Sequence, residues 1–175
     1  MILWYNEIGD KMKEIFHRTS TRKFLDKKVE EEKIERVLRA AMAAPSAKNG
    51  QPWEFYVISN KDILLELSNA TPYSMCVKNA PSAIVVCYRK DIVEKDYVEI
   101  DCAIATENIL LELDGLGLGG VMIGVSPVEE RMKNVEKIIN IDENLRAFTI
   151  IPFGYPEREK KWQDRFNKEK IHYIN

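Results

Sequence analysis

Two histidines and three cysteines in 175 residues leave little material for metal or thiol chemistry. His17 and His172 stand at opposite ends of the chain, and no HExxH pattern occurs. Cys76, Cys87 and Cys102 are odd in number and form no CxxC pair, so neither a disulfide framework nor a metal site is indicated. A reducing, cytoplasmic setting is the expectation. No segment approaches the ~20 apolar residues of a membrane span, and the opening MILWYNEIGD has too short an apolar run, and no leading cations, for a secretory signal. Charge of one sign is lacking too. The 26 basic and 28 acidic residues leave a net charge of -2, whereas nucleic-acid and membrane-surface proteins usually carry a broad positive field. GxSxG and P-loop motifs are absent, and nothing points to a nucleophilic triad. If the chain is an enzyme, its reactive group is expected to come from a cofactor.

What is present begins with 45% apolar residues, enough for a sizeable core. One domain over 1–175 is expected, without repeat or linker. Asp10 to Arg18 reads as a short helix with Met12, Ile15 and Phe16 on one side. Lys28 to Ala44 reads as a longer one, with Ile34, Val37, Leu38 and Ala41 at helical spacing before Pro45. Trp53 to Asn60 and Ala83 to Arg89 have strand composition, and Ile63 to Ala70 separates them as a small helix. Between Tyr97 and Leu113 apolar residues spread over more than half of a helical wheel, which places that helix inside the core or between the core and a second subunit. GGVMIGV and RAFTIIPFGYP read as strands around an amphipathic helix near Val128 to Ile141. The order of elements implies an α+β domain with a mainly antiparallel or mixed sheet flanked by helices.

Gly115, Gly117 and Gly120 satisfy the GxGxxG spacing of dinucleotide-binding folds, but the context is reversed. That motif needs a strand before the glycines and a helix after them, so that the pyrophosphate meets a helix N-terminus. Here a helix precedes and a β-branched run follows, so a helix C-cap and turn is the expectation.

FHRTSTRKF, Phe16 to Phe24, gathers three cations, a histidine and three hydroxyls into nine residues of a slightly acidic chain. Guanidinium forks and hydroxyls in the RxSxR pattern of Arg18, Ser20 and Arg22 suit a small phosphate ester. Three further features accompany it. APSAKNGQPWEF is a polar loop leading into a strand; DCAIATENILLELDGLGLGGVMIG joins the broad helix to its glycine turn; PFGYP is followed by a charged tail that contains Arg165. Composition alone makes 157–175 a solvated tail. Trp162, Phe166, Ile171 and Tyr173 instead suggest an arm laid over another surface.

Taken in this order, the four features resemble the nitroreductase family of FMN-dependent oxidoreductases over roughly 16–174. The resemblance implies an intertwined α+β homodimer with a C-terminal arm over the partner, and FMN sites between the subunits. It implies that Arg18, Thr19, Ser20 and Arg165 surround the FMN phosphate and that Arg22 lies near N1 and O2 of the ring. Pro45, Ser46 and Asn49 would reach the other subunit's flavin. Ile123 and Gly124 would pass beside the ring, ordinary strand and turn being the alternative. Relatives carry a lysine two residues before the tail arginine, where this chain has Gln163; either Lys160 or Lys161 replaces it, or the arginines suffice. The implied activity takes hydride from NADH or NADPH onto flavin N5 and passes it to a nitroaromatic, quinone or similar small acceptor by ping-pong exchange, with no catalytic side chain required. A non-turnover FMN sensor or storage protein is the alternative.

Overall fold

The computed structural model describes residues 12–174. The first described helix, α1, is a single turn, Glu14–His17. It is shorter than the 10–18 expected: Met12 has a positive φ of 60°, which ends helical geometry on that side, while residues 10 and 11 lie outside the described residues. Helix α2, Glu31–Met42, starts after an extended Glu30, and its first turn carries Glu31 and Glu32, the charge sign that the helix N-terminus favours. Val37 and Ala41 are fully buried, and Ile34 and Leu38 pack beside them, so the stripe read from the sequence is the stripe that faces the core.

Five strands form one sheet: β1 (Trp53–Ile58), β2 (Ser82–Arg89), β3 (Gly119–Gly120), β4 (Ile123–Gly124) and β5 (Leu145–Gly154). Their order is β1-β2-β5-β3, with β4 also paired to β5, and every pairing between them is antiparallel. β2 is apolar on both faces because both are covered. Ile84 and Val86 join one core cluster with helix α4 (Val98–Gly115), while Ala83, Val85 and Cys87 join another with helices α3 (Lys61–Leu67) and α5 (Glu129–Ile139).

The boundaries differ from the sequence reading for identifiable reasons. α3 starts two residues earlier than expected because the Asn60 side chain accepts from the amides of Asp62 and Ile63, capping the helix where the sequence suggested the end of a strand. GGVMIGV is two short strands instead of one. The register that pairs Gly120 with Phe153 and Ile123 with Ile150 sets Val121 opposite Pro152, which has no N–H to donate to the ladder. The glycine turn is a helix C-cap, as expected: Gly117 has φ 72°, its N–H reaches the Asp114 carbonyl at 3.0 Å, and the Leu118 N–H reaches that of Leu113 at 2.8 Å. Residues 157–174 contain no strand or α-helix, only a tight turn at Lys168–Lys170, and are largely exposed.

Candidate functional site

The N-terminal cationic stretch lies beside the sheet edge. The Thr21 N–H donates to the Gly120 carbonyl at 2.9 Å, and Ser20 and Gly120 form a parallel bridge outside β3. Only glycine permits this approach, since a Cβ on Gly119 would overlap Thr21 Oγ1. On the other side the chain leaving β5 returns along the same stretch. Leu25 donates to the Tyr155 carbonyl at 2.8 Å, and Glu157 donates to that of Lys23 at 3.2 Å. Residues 19–23 and 156–163 thereby meet around a cavity of about 300 Å³.

Five cations line this cavity, Arg22, Lys23, Arg158, Lys160 and Lys161, against a single carboxylate, Glu159, with the hydroxyl residues Thr19, Ser20 and Thr21 among them. Arg22, Lys23, Arg158 and Lys161 have no carboxylate partner among the described residues. Of two larger clefts, the one near 520 Å³ balances Asp26 and Glu31 against two lysines, and the one near 540 Å³ sets Asp96 and Glu99 against four cations, a smaller excess. A concentration of unpaired positive charge with hydroxyl donors is chemistry for an anion such as a phosphate. Arg22 also acts beyond the cavity: burial pushes the Cys76 thiol up, and the Arg22 charge opposes that rise.

Lys160 is the exception among the five. Its side chain is 8% exposed and that of Asp114 is 3% exposed; the Lys160 ammonium is bonded to the Asp114 carboxylate and to the Leu118 carbonyl at 2.8 Å. The other Asp114 oxygen lies 2.8 Å from His17 Nδ1, and the His17 ring packs against Trp162 with centroids 5.6 Å apart. This buried group fastens the start of the tail to the end of α4 and to α1. Lys160 is therefore committed internally, and Lys161 is the lysine left for a ligand. No local pattern signals this arrangement, because its three members are brought together from residues 17, 114 and 160.

The other expected site residues fall in four places. Arg18 turns away from the cavity, with Nε 3.2 Å from Glu107 on α4. Arg165 is exposed and bonds its neighbour Gln163. Ile123 is buried, its carbonyl accepting from Thr149 Oγ1 at 2.7 Å, whereas Gly124 is exposed and nothing lies within 4 Å of where its Cβ would be. Pro45, Ser46 and Asn49 belong to a loop tied to the opposite end of α4. Asp101 accepts from the Ala47 N–H at 3.1 Å, Ser46 Oγ accepts from the Gln51 N–H at 3.0 Å, and Arg89 donates to the Gly50 carbonyl at 3.2 Å. Lys48, Asn49 and Gln51 all have positive φ, a strained conformation that these bonds hold. Asp101 and Asp114 are both on α4, and thirteen residues of helix separate them by about 20 Å along the axis. A single chain therefore does not bring this loop to the cationic cavity.

Comparisons with known proteins agree with one another. The family described as the Nitroreductase family matches residues 15–72 and 70–155. A protein of Archaeoglobus fulgidus, provisionally named NADH dehydrogenase/NAD(P)H nitroreductase, is 42% identical over 167 residues, which cover 92% of this chain and 95% of that one. The crystal structure of a provisionally named NADH oxidase from Clostridium acetobutylicum has a TM-score of 0.90 and 44% identity, covering 93% of this chain and 99% of the other. An FMN-dependent nitroreductase from Clostridium difficile has a TM-score of 0.87 and 32% identity, covering 94% and 99%.

Proposed function

The chain belongs to the nitroreductase family, and from that premise we propose that it is an FMN-dependent oxidoreductase that works as a homodimer. The observation that carries this reading is the cavity in which three hydroxyl residues and four unpaired cations converge beside the edge strand that leads to Gly124. The residues fit the group. Thr19, Ser20 and Lys161 can bond phosphate oxygens, with Arg165 closing from the tail and Arg18 joining them on release from Glu107. Gly124, with open space above its backbone, admits a flat ring. When bound, FMN supplies hydride acceptance from NADH or NADPH and hydride donation to a nitroaromatic, quinone or similar acceptor, the two substrates alternating at one face.

The chain's own residues then bind, orient and tune. The Arg22 guanidinium places positive charge where an electron-rich reduced ring benefits from it. The Gly124 backbone can approach a ring because no Cβ intervenes. A second copy supplies what one protomer leaves distant: the loop 45–51 sits far along α4 from the cavity. Ile100 and Ile104, one turn apart on α4, are exposed, as are Phe166, Ile171 and Tyr173 on the tail. Burying these apolar groups against a partner is the favourable outcome.

The purified protein should be yellow, hold one FMN per chain, and consume NADH or NADPH with a quinone or nitroaromatic acceptor. A bound flavin that stays oxidised under excess reduced nicotinamide would reject the enzyme reading in favour of a sensor or store, and a colourless protein that fails to take up FMN would reject both. Arg22→Ala should lower the flavin's reduction potential, whereas Lys161→Ala should chiefly weaken FMN retention. An unchanged potential in Arg22→Ala would remove its assigned role.

A further inference from the structure

At the Gly124 edge stands an arginine that the FMN reading does not use. Arg131, on the first turn of α5, directs Nη1 to the Gly124 carbonyl at 3.4 Å, and its guanidinium lies 5.3 Å from the centroid of the Tyr73 ring. The same helix is tied to the segment before Tyr73 by Asn134 Nδ2, which donates to the Ala70 carbonyl at 3.5 Å. We propose that Arg131 and Tyr73 form a subsite for the anionic group of a flat substrate that docks at the Gly124 edge. This inference rests on the flavoenzyme reading of that edge and adds the class of ligand it selects.

Three observations carry it. Arg131 has no carboxylate partner among the described residues, although Glu129 lies on the same helix; Glu129 is engaged by Arg146 and Lys133. A guanidinium offers five N–H donors in a planar fork, and the one long bond to Gly124 leaves most of them for a carboxylate or phosphate. Tyr73 is 69% exposed although the cation lies near its ring, so the pair is an ordered but unfinished surface. An aromatic face beside a fixed cation suits a planar ring that carries negative charge. Met75 and Met122, two residues from Tyr73 and Gly124 respectively, are also exposed and add adaptable apolar contact. That anion has two possible sources: a carboxylate or phenolate on an aromatic acceptor, or a phosphate of the nicotinamide donor.

Calorimetric titration of the protein as purified, with benzoate and with its neutral isostere benzamide, reads the subsite directly whatever the flavin content. Benzoate should bind about tenfold more tightly than benzamide, the scale of a charge-assisted hydrogen bond. Arg131→Gln should bring the two within about twofold, Arg131→Lys should recover part of the preference, and Tyr73→Leu should weaken both ligands. A parallel measurement of KM for 4-nitrobenzoate, 4-nitrobenzamide and NADH or NADPH separates the sources. A rise for the nitrobenzoate alone assigns the acceptor, and a rise for the donor alone assigns its phosphate. Equal benzoate and benzamide binding in the parent protein, with donor KM unchanged in Arg131→Gln, would overturn the proposal. A protein that prefers benzoate through Arg131 yet lacks flavin or turnover would instead overturn the enzyme reading and leave the anion subsite standing.

Discussion

Replacing Asp114 with asparagine keeps the shape of the buried group and removes its charge. The Lys160 side chain, 8% exposed, then keeps the Leu118 carbonyl at 2.8 Å and at most a neutral amide oxygen, so its charge loses its counter-charge, and the bond to His17 loses its anionic acceptor. Breaking one side of a buried pair costs about 3 kcal/mol or somewhat more, because the remaining charge is stranded away from water. For a chain of this length each kcal/mol corresponds to roughly 2–4 °C in Tm, so a fall of about 6–12 °C is expected if the whole fold bears the loss. A cheaper escape exists. Lys160 sits at the start of the tail, and releasing residues 157–163 would return its charge to solvent while leaving the sheet intact. In that case Tm changes little, but trypsin cuts faster at Lys160 and Lys161, and FMN binds more weakly because the cavity loses one wall. Thermal denaturation and limited proteolysis of Asp114→Asn distinguish the two outcomes, and adding Lys160→Met should restore much of what is lost, since no charge is then stranded. A single variant with unchanged Tm, unchanged cleavage and unchanged FMN affinity would refute the assignment of this group as the fastening of the tail.

Burial drives the Cys102 thiol up to about 12 and the Cys87 thiol higher still. At pH 8 a disulfide reagent should therefore label Cys76 far faster than either, and all three equally in denaturant; fast labelling of Cys87 in the native protein would contradict its placement. The same shifts set an alkaline limit. Above the thiols' ordinary range near pH 8.5–9 the unfolded chain loses protons that the folded chain keeps, so stability falls as pH rises, by up to about 1.4 kcal/mol per unit per thiol. Tm measured from pH 8 to 11 should decline accordingly. Gly119→Ala drives a methyl into Thr21 and should cost about 1–3 kcal/mol, with Thr21→Ser in the same chain relieving part of it by removing one of the crowded atoms. Ile104→Glu puts a charge on the exposed face of α4 and should shift the protein toward monomer in sedimentation; a dimer of undiminished strength would place the interface elsewhere.

Some features are legible in the sequence itself because local chemistry decides them. Helix α2 can be read because its apolar stripe, Ile34 to Ala41, is periodic and Pro45 stops it. The GxGxxG spacing can be set aside because the elements around it come in the wrong order, and Gly117 is in fact the left-handed residue of a helix cap. The cationic stretch can be singled out by its RxSxR pattern read together with the loop, glycine turn and tail that follow it, and Ser20 and Arg22 do line the cavity. What stays hidden depends on pairing across the chain. Nothing near Asp114 announces Lys160 or His17, and nothing near Arg131 announces Tyr73. Arg158 resembles any other cation of a charged tail until the return of the chain after β5 sets it around one space with residues 19–23. The break between β3 and β4 is hidden for the same reason, since it is set by Pro152 on the opposing strand, on the far side of α5.

β5 is the partner of β2, β3 and β4 alike, and it is the last strand to be synthesised. Until residues 145–154 have left the ribosome, the first half of the chain can close only the β1 and β2 ladder, and the glycine-rich edge beside residues 19–23 has nothing to hold it. The cationic groove therefore comes into being only near the end of translation, when β5 has emerged and the chain that follows it can return along residues 19–23.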